Sequence, residues 1–395
     1  MIFSLALIFL LGMALGRLFG MIGIPRLLGM LVTGIILGPY ALDLLDPALL
    51  QISSELRQIA LIIILTRAGL NLDIKDLKQV GRPAFLLCFV PACFEIAGTV
   101  LLAPRLFDIS LLDAAIMGTV IAAVSPAVVV PKMLQLMEKG YGENKKIPQM
   151  VMAGASVDDV FVIVLFTAFT GLATQGNINA THFLTIPSSI IFGVLGGIAA
   201  GLILSLIFAR FHIRDSAKVI MILSFSFLLV TLERQAKGVI GFSGLLAVMA
   251  LGMTIAKKKY PLSERLSSKF SKLWVAAEVL LFVLVGASVN ISYAWKAGTT
   301  AVLLLMAVLL FRILGVFLSL SNTRLNKKER IFTALSYIPK ATVQAAIGGL
   351  PLAMGIGSGE LILTVAVLSI LITAPIGAAF IDLSYKKLLA HEAEN

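Results

Sequence analysis

The stretch from Met150 to Thr174 reads MVMAGASVDDVFVIVLFTAFTGLAT. It is apolar over a length that spans a bilayer as a helix, which takes about 20 residues. Near its middle stand two adjacent carboxylates, Asp158 and Asp159. An ionised side chain at mid-membrane depth costs roughly 2.5–3.5 kcal/mol on insertion scales. Two such groups persist only with compensation, so the stretch points to an ion or proton site with cationic partners elsewhere in the chain.

The rest of the sequence agrees with a membrane setting. Of 395 residues 59% are hydrophobic and only 13% charged, with a mean hydropathy of +1.02. Globular chains carry about 25% charged residues. The expectation is an all-α polytopic membrane protein without a soluble catalytic domain, and so not an enzyme. The formal charge of +11 would suggest nucleic acid in a soluble protein. In a membrane chain the positive-inside rule accounts for it, and no nucleic-acid partner is expected. Cys88 and Cys93 lie five residues apart in one apolar run, a spacing read as free thiols packed as small apolar groups. The N-terminal run MIFSLALIFLLGMALG lacks a basic leader and reads as a first span rather than a cleaved signal.

Thirteen apolar segments can be drawn: 2–20, 24–41, 54–72, 82–104, 110–137, 147–174, 184–209, 217–235, 239–256, 272–289, 297–320, 330–355 and 359–384. With residues near a span end counted with the adjoining loop, 24 of the 32 lysines and arginines fall in the odd-numbered loops and the C-terminal tail. Only Arg57, Arg105, Arg234, Lys237 and Lys296 fall in the even loops, and Arg67, Arg312 and Lys340 lie inside spans. This bias sets the N-terminus outside and the C-terminus in the cytoplasm of a cell membrane, the inner one in a bacterium.

A short internal repeat supports a two-fold construction. Gly69-Leu-Asn-Leu-Asp-Ile74 in span 3 resembles Gly286-Ala-Ser-Val-Asn-Ile291 in span 10, seven spans later. An odd offset inverts the second copy, and inverted repeats are a transporter signature with the substrate site near the midplane. Residues 1–181 (spans 1–6) then form the first repeat, 182–216 (span 7) the linker and 217–395 (spans 8–13) the second. The repeat pairs span 5, with Val124-Ser-Pro-Ala-Val-Val-Val-Pro131, with span 12, with Ile338-Pro-Lys-Ala-Thr-Val-Gln344 and Gly348-Gly-Leu-Pro351. Proline removes a backbone donor and clashes with the preceding turn. Pro126, Pro131, Pro339 and Pro351 therefore mark two expected broken helices, whose half-helix ends carry partial charges suited to ions.

The same 217-residue offset pairs Glu95 in span 4 with Arg312 in span 11. A buried carboxylate and guanidinium can neutralise one another, in a structural or gating role. Lys340, in the break of span 12, either releases a proton when desolvated or neutralises helix-dipole ends. Adjacent helical residues point about 100° apart, so Asp158 and Asp159 cannot face one cavity equally. We read Asp159 as the principal Na⁺ and H⁺ ligand, and Asp158 as assisting it or locking the broken helices. Ser156, Ser125 and Thr342 supply hard oxygens suited to a small alkali cation. Burial favours the neutral form of a carboxyl group, so one aspartate can take either a proton or Na⁺. If only the occupied site crosses the membrane, the two ions are exchanged.

Other features carry plainer readings. Arg67 and Glu278 are placed to snorkel. His182, His212 and His391 read as loop or tail residues. The small-xxx-small series Gly12, Gly16, Gly20 and Gly193, Gly197, Gly201 indicate close helix packing, the first being a candidate dimer contact.

These residues together resemble a monovalent cation/proton antiporter of the NhaA/NapA type, nearest to the NHA branch that includes animal members. The resemblance rests on ASVDDVFVIVLF, VSPAVVVP and YIPKATVQAA, with Glu95 and Arg312 similar to that branch's acidic–basic pair. It extends over essentially the whole chain. It implies a homodimer whose protomers have a core domain (spans 4–6 and 11–13) and a dimerisation domain from the rest. The two crossed broken helices, spans 5 and 12, would sit in a core that moves like an elevator, with no cofactor. Related electrogenic antiporters carry a lysine where this chain has Arg312, so either electrogenic or electroneutral exchange is compatible.

Three rivals are weighed against this reading. A K⁺/H⁺ antiporter uses the same chemistry with another ion. An organic-anion or bile-acid symporter on the same fold needs no aspartate pair. An intramembrane aspartyl protease needs its two aspartates on separate helices, facing each other.

Overall fold

The computed structural model describes residues 1–71, 81–173, 180–235, 241–258 and 260–391. Every regular element among them is a helix: α1 Ile2–Met21, α2 Arg26–Leu37, α3 Pro47–Gln51, α4 Ser53–Asn71, α5 Arg82–Leu87, α6 Val90–Phe107, α7 Leu111–Ala122, α8 Pro126–Glu138, α9 Ile147–Ala173, α10 Ala180–Arg210, α11 Asp215–Gln235, α12 Gly244–Lys258, α13 Tyr260–Ala287, α14 Ile291–Ser319, α15 Lys327–Ser336, α16 Thr342–Ile347, α17 Leu350–Ala353 and α18 Gly359–Leu388. A short 3₁₀ turn, Glu143–Lys145, precedes α9. Helices occupy each of the thirteen apolar segments in order. Among the described residues nine are long and apolar enough to cross a membrane. The molecule is a multi-pass membrane protein. Leu72, Asp73 and Ile74 of the first repeat copy, and Lys75, Lys78, Lys237 and Lys259 of the charge count, lie outside the described residues.

The helix beginning at Tyr260 corrects the expected start of span 10 at 272. Its first turns carry Ser263, Arg265, Ser267 and Lys269, which the sequence presents as loop. Ser263 and Ser267 explain the extension: their hydroxyls donate to Leu70 O at 2.7 Å and to Asn71 Oδ1 at 2.5 Å.

Both expected breaks are present. Span 5 is α7 and α8 with residues 123–125 between them, and span 12 is α15 and α16 with 337–341 between them. Pro126 opens α8 at its first position, where its missing N–H costs nothing. Pro339 lies in the second gap, and Pro351 is the second residue of the separate short helix α17. Pro131 does not break its helix, because α8 runs through it, as α6 runs through Pro104 and α18 through Pro375. One lost donor inside an apolar helix is tolerated when neighbouring groups satisfy the freed carbonyl.

The chain divides into two compact units. The first comprises Met1–Ser54, Lys75–Val162 and Leu281–Asn395, and holds both broken helices. Within it, glycines let helices approach to backbone contact. A Cβ on Gly34 would lie 1.9 Å from Val283 O, and one on Gly286 would lie 2.1 Å from Leu31 O, which seats α2 on the end of α13. Gly16 faces Arg26 O and Met30 of α2, and Gly20 faces the Arg26 side chain. Gly16 and Gly20 thus serve α1–α2 packing inside the chain. The second unit comprises Glu55–Ile74 and Ile163–Leu280. There Gly193, Gly197 and Gly201 on α10 meet Ser243, Ala247, Ala250 and Thr254 around α12.

His391 is more than a tail residue. It forms a β-bridge with Tyr141, and its ring lies 4.7 Å from the Tyr141 ring, edge on.

Candidate ion-binding site

The site grows out of one helix pair. α6 and α14 touch where Gly98 meets the Phe311 ring and Gly315 meets Pro91 Cα, each 2.7 Å from a would-be Cβ. That approach sets Glu95 and Arg312 face to face. Both are buried, with 0% and 1% exposure. Arg312 Nη1 donates to Glu95 Oε2 at 2.8 Å and Nη2 donates to Asp158 Oδ2 at 2.9 Å. Its Nε donates to Tyr337 O at 2.7 Å and Nη1 donates also to Ala122 O. One guanidinium therefore ties α6, α9 and the gaps of both broken helices. A planar fork with five donors suits this better than an ammonium.

Lys340 lies wholly buried in the gap of span 12. Its Nζ is 2.7 Å from Glu95 Oε1 and donates to Oε2 at 2.8 Å and to Ile121 O. Its backbone N–H donates to Thr373 Oγ1 of α18 at 3.0 Å. The gap is gripped on two more sides by glycines. A Cβ on Gly377 would meet Pro339 Cγ at 2.4 Å, and one on Gly154 would meet the Tyr337 hydroxyl at 2.0 Å. The two gaps join directly where Ser125 N–H donates to Pro339 O at 2.8 Å.

The two aspartates of α9 differ in environment. Asp158 Oδ2 accepts from Val124 N–H at 2.8 Å and from Arg312, which commits it to the break of span 5 and to a cation. Asp159 has no ion pair among the described residues, and its buried Oδ1 has no hydrogen-bond partner. Asp158 Oδ1 and the Ser125 hydroxyl are buried and unpartnered as well. Ser156 is partly buried and turns its hydroxyl back to Met152 O at 2.8 Å. Thr342 is buried at the first position of α16. It stands 217 residues after Ser125, the offset that also separates Glu95 from Arg312.

Sequence reasoning missed Gln344. It is wholly buried, and its Nε2 donates to Ala123 O at 2.8 Å, with Ile121 O at 3.4 Å. A single amide amid Val-Gln-Ala-Ala gives little signal. Its position four residues after Lys340, just past the break, was the available one.

Known proteins agree with this architecture. A family model described as "Sodium/hydrogen exchanger, transmembrane" matches residues 5–382. The chain is 36% identical to mouse (Mus musculus) sodium/hydrogen exchanger 9B2 over 98% of its own length and 74% of that protein's. It is 34% identical to human (Homo sapiens) sodium/hydrogen exchanger 9B1 over 85% of its own length and 67% of that protein's. In fold it matches the sodium proton antiporter MjNhaP1 from Methanocaldococcus jannaschii, with a TM-score of 0.84 at 20% identity, covering 98% of each chain. By its family match over residues 5–382, its relatives at 34–36% identity and its two joined helix breaks, the chain belongs to the sodium/hydrogen exchanger family.

Proposed function

We propose that the protein exchanges Na⁺ or Li⁺ for H⁺ across a cell membrane, with the two ions competing for Asp159 and with Asp158 assisting. The observation that carries this reading is the asymmetry of the pair: Asp158 is held by Val124 N–H and Arg312, and Asp159 Oδ1 is buried without a partner. Counted as ionised groups, Glu95, Asp158 and Asp159 face Arg312 and Lys340, which leaves one negative charge in excess. Buried charge is tolerated only when balanced, so the cluster takes up one monovalent cation or one proton. The unpartnered Ser125 hydroxyl and Asp158 Oδ1 supply further hard oxygens. Arg312 is held by several acceptors and stays protonated, a fixed charge that favours electroneutral exchange.

In this reading the loaded, neutral core crosses the membrane by an elevator motion and the empty, charged core does not. The core is spans 4–6 and 11–13, the remaining spans form the dimerisation domain of a homodimer, and residues 1–181 and 217–395 are inverted repeats about span 7. The N-terminus lies outside and the C-terminus in the cytoplasm. The excess negative charge speaks against an organic-anion substrate on the same fold.

The test is a pH gradient imposed across proteoliposomes, with Na⁺, Li⁺ or K⁺ added in turn to wild type and Asp159→Asn. Collapse of the gradient by Na⁺ or Li⁺ in wild type alone supports the reading. Collapse by K⁺ alone keeps the mechanism and changes the ion. Equal collapse in Asp159→Asn removes that residue from the site.

A further inference from the structure

The C-terminal end of α7 points its last carbonyls into the crossing of the broken helices. Such carbonyls have no partner inside their own helix and carry the negative end of its dipole. In a membrane interior they are either capped by protein groups or offered to a cation. Here three carbonyls in a row are capped from elsewhere: Ile121 O accepts from Lys340 Nζ, Ala122 O from Arg312 Nη1, and Ala123 O, at the C-cap, from Gln344 Nε2 at 2.8 Å. Two of these donors are cations already engaged with Glu95 or Asp158. Gln344 is the neutral one, buried on the first turn of α16, and its own Oε1 has no partner.

We propose that Gln344 is a positioning residue that sets the ion capacity of the site. Its amide closes the carbonyl end of α7, so that coordination falls to the carboxylates on α9 and the excess charge of the cluster stays at one. A carboxylate at this position would do the opposite. Ionised, it has no proton to donate, repels Ala123 O and adds a second negative charge to the cluster. Protonated, it donates as the amide does. This proposal rests on the antiport reading, since the capacity it explains is the capacity for one exchanged ion.

The experiment compares Gln344→Glu and Gln344→Met with wild type and Asp159→Asn in the same vesicles, across a range of pH. The readout is turnover relative to wild type at each pH, with the half-saturating Na⁺ concentration. Leaving a buried carbonyl uncapped should lower relative turnover about tenfold. Gln344→Met should show that loss at every pH. Gln344→Glu should approach wild type on the acid side and fall about tenfold as pH rises, because only its neutral form donates. A Glu variant whose ratio to wild type is flat or rises with pH overturns the proposal, as does a Met variant with wild-type turnover and half-saturation. If the Glu variant does not accumulate as folded protein, Gln344→Asn replaces it. That side chain is one methylene too short to reach Ala123 O, so its relative turnover should fall about tenfold at every pH, as in Gln344→Met; wild-type turnover refutes the role. Wild-type exchange with a silent Asp159→Asn and flat Gln344 variants rejects this proposal alone. Absence of exchange in wild type rejects both.

Discussion

Removing Glu95 and Arg312 singly and together gives the sharpest test of the buried charge network. At 2.8 Å the pair attracts with about 6 kcal/mol at an effective dielectric constant near 20. Neither ion depends on the other alone: Glu95 also holds Lys340, and Arg312 also holds Asp158, Ala122 O and Tyr337 O. Each single change, Glu95→Gln or Arg312→Gln, breaks a buried pair and should destabilise by about 3–5 kcal/mol. The double variant should lose about 2 kcal/mol less than the sum, since the second change no longer strands a charge. Charge counting adds a functional expectation. Glu95→Gln brings the cluster to neutrality without any added ion, Arg312→Gln leaves two excess negative charges, and the double variant returns to one. Sodium affinity should therefore fall in Glu95→Gln and recover in part in the double variant. Stability would be read by denaturant unfolding in mixed micelles, and affinity by calorimetry on the same preparations. Losses additive to within about 0.5 kcal/mol, with no recovery of sodium binding, would refute the direct pair.

Further predictions follow from single contacts. Asp159→Asn should abolish exchange while the protein remains folded, checked by vesicle assay and size-exclusion chromatography. Gly154→Ala should displace the Tyr337 hydroxyl from the α9 backbone and slow exchange far more than Ala153→Gly, a neighbouring control on the same turn. Gly286→Val should destabilise by at least about 1–3 kcal/mol in thermal unfolding, because its side chain has no space against Leu31 O. Cross-linking in native membranes should trap a dimer; a wholly monomeric protein would contradict the assembly proposed above.

The sequence announces this fold through costs that only a membrane imposes. Pro126 and Pro339 are legible as breaks because each coincides with polar residues, Ser125 and Lys340, in spans at matching positions of the two halves. Pro131 reads the same by residue type and breaks nothing, because a lone missing donor in an apolar helix finds relief locally. Glu95 and Arg312 are legible because isolated charges in apolar spans demand partners. What they do beyond pairing is not: Arg312's reach to Asp158, Ala122 O and Tyr337 O depends on the glycine-mediated approach of α6 and α14. Gln344 stays hidden because a neutral amide costs too little to stand out. The start of α13 is missed for a related reason, since two of the polar residues that suggest a loop, Ser263 and Ser267, find their partners in the last turn of α4.

One carboxylate site taking either Na⁺ or a proton must release the proton when it binds Na⁺. Proton release on sodium binding tests it directly, by titrating the purified protein with Na⁺ in buffers of different ionisation enthalpy. Close to one proton should be released per Na⁺ bound near the middle of the active pH range, and none in Asp159→Asn. Sodium binding with no proton released at any pH, or with undiminished release in Asp159→Asn, would contradict it.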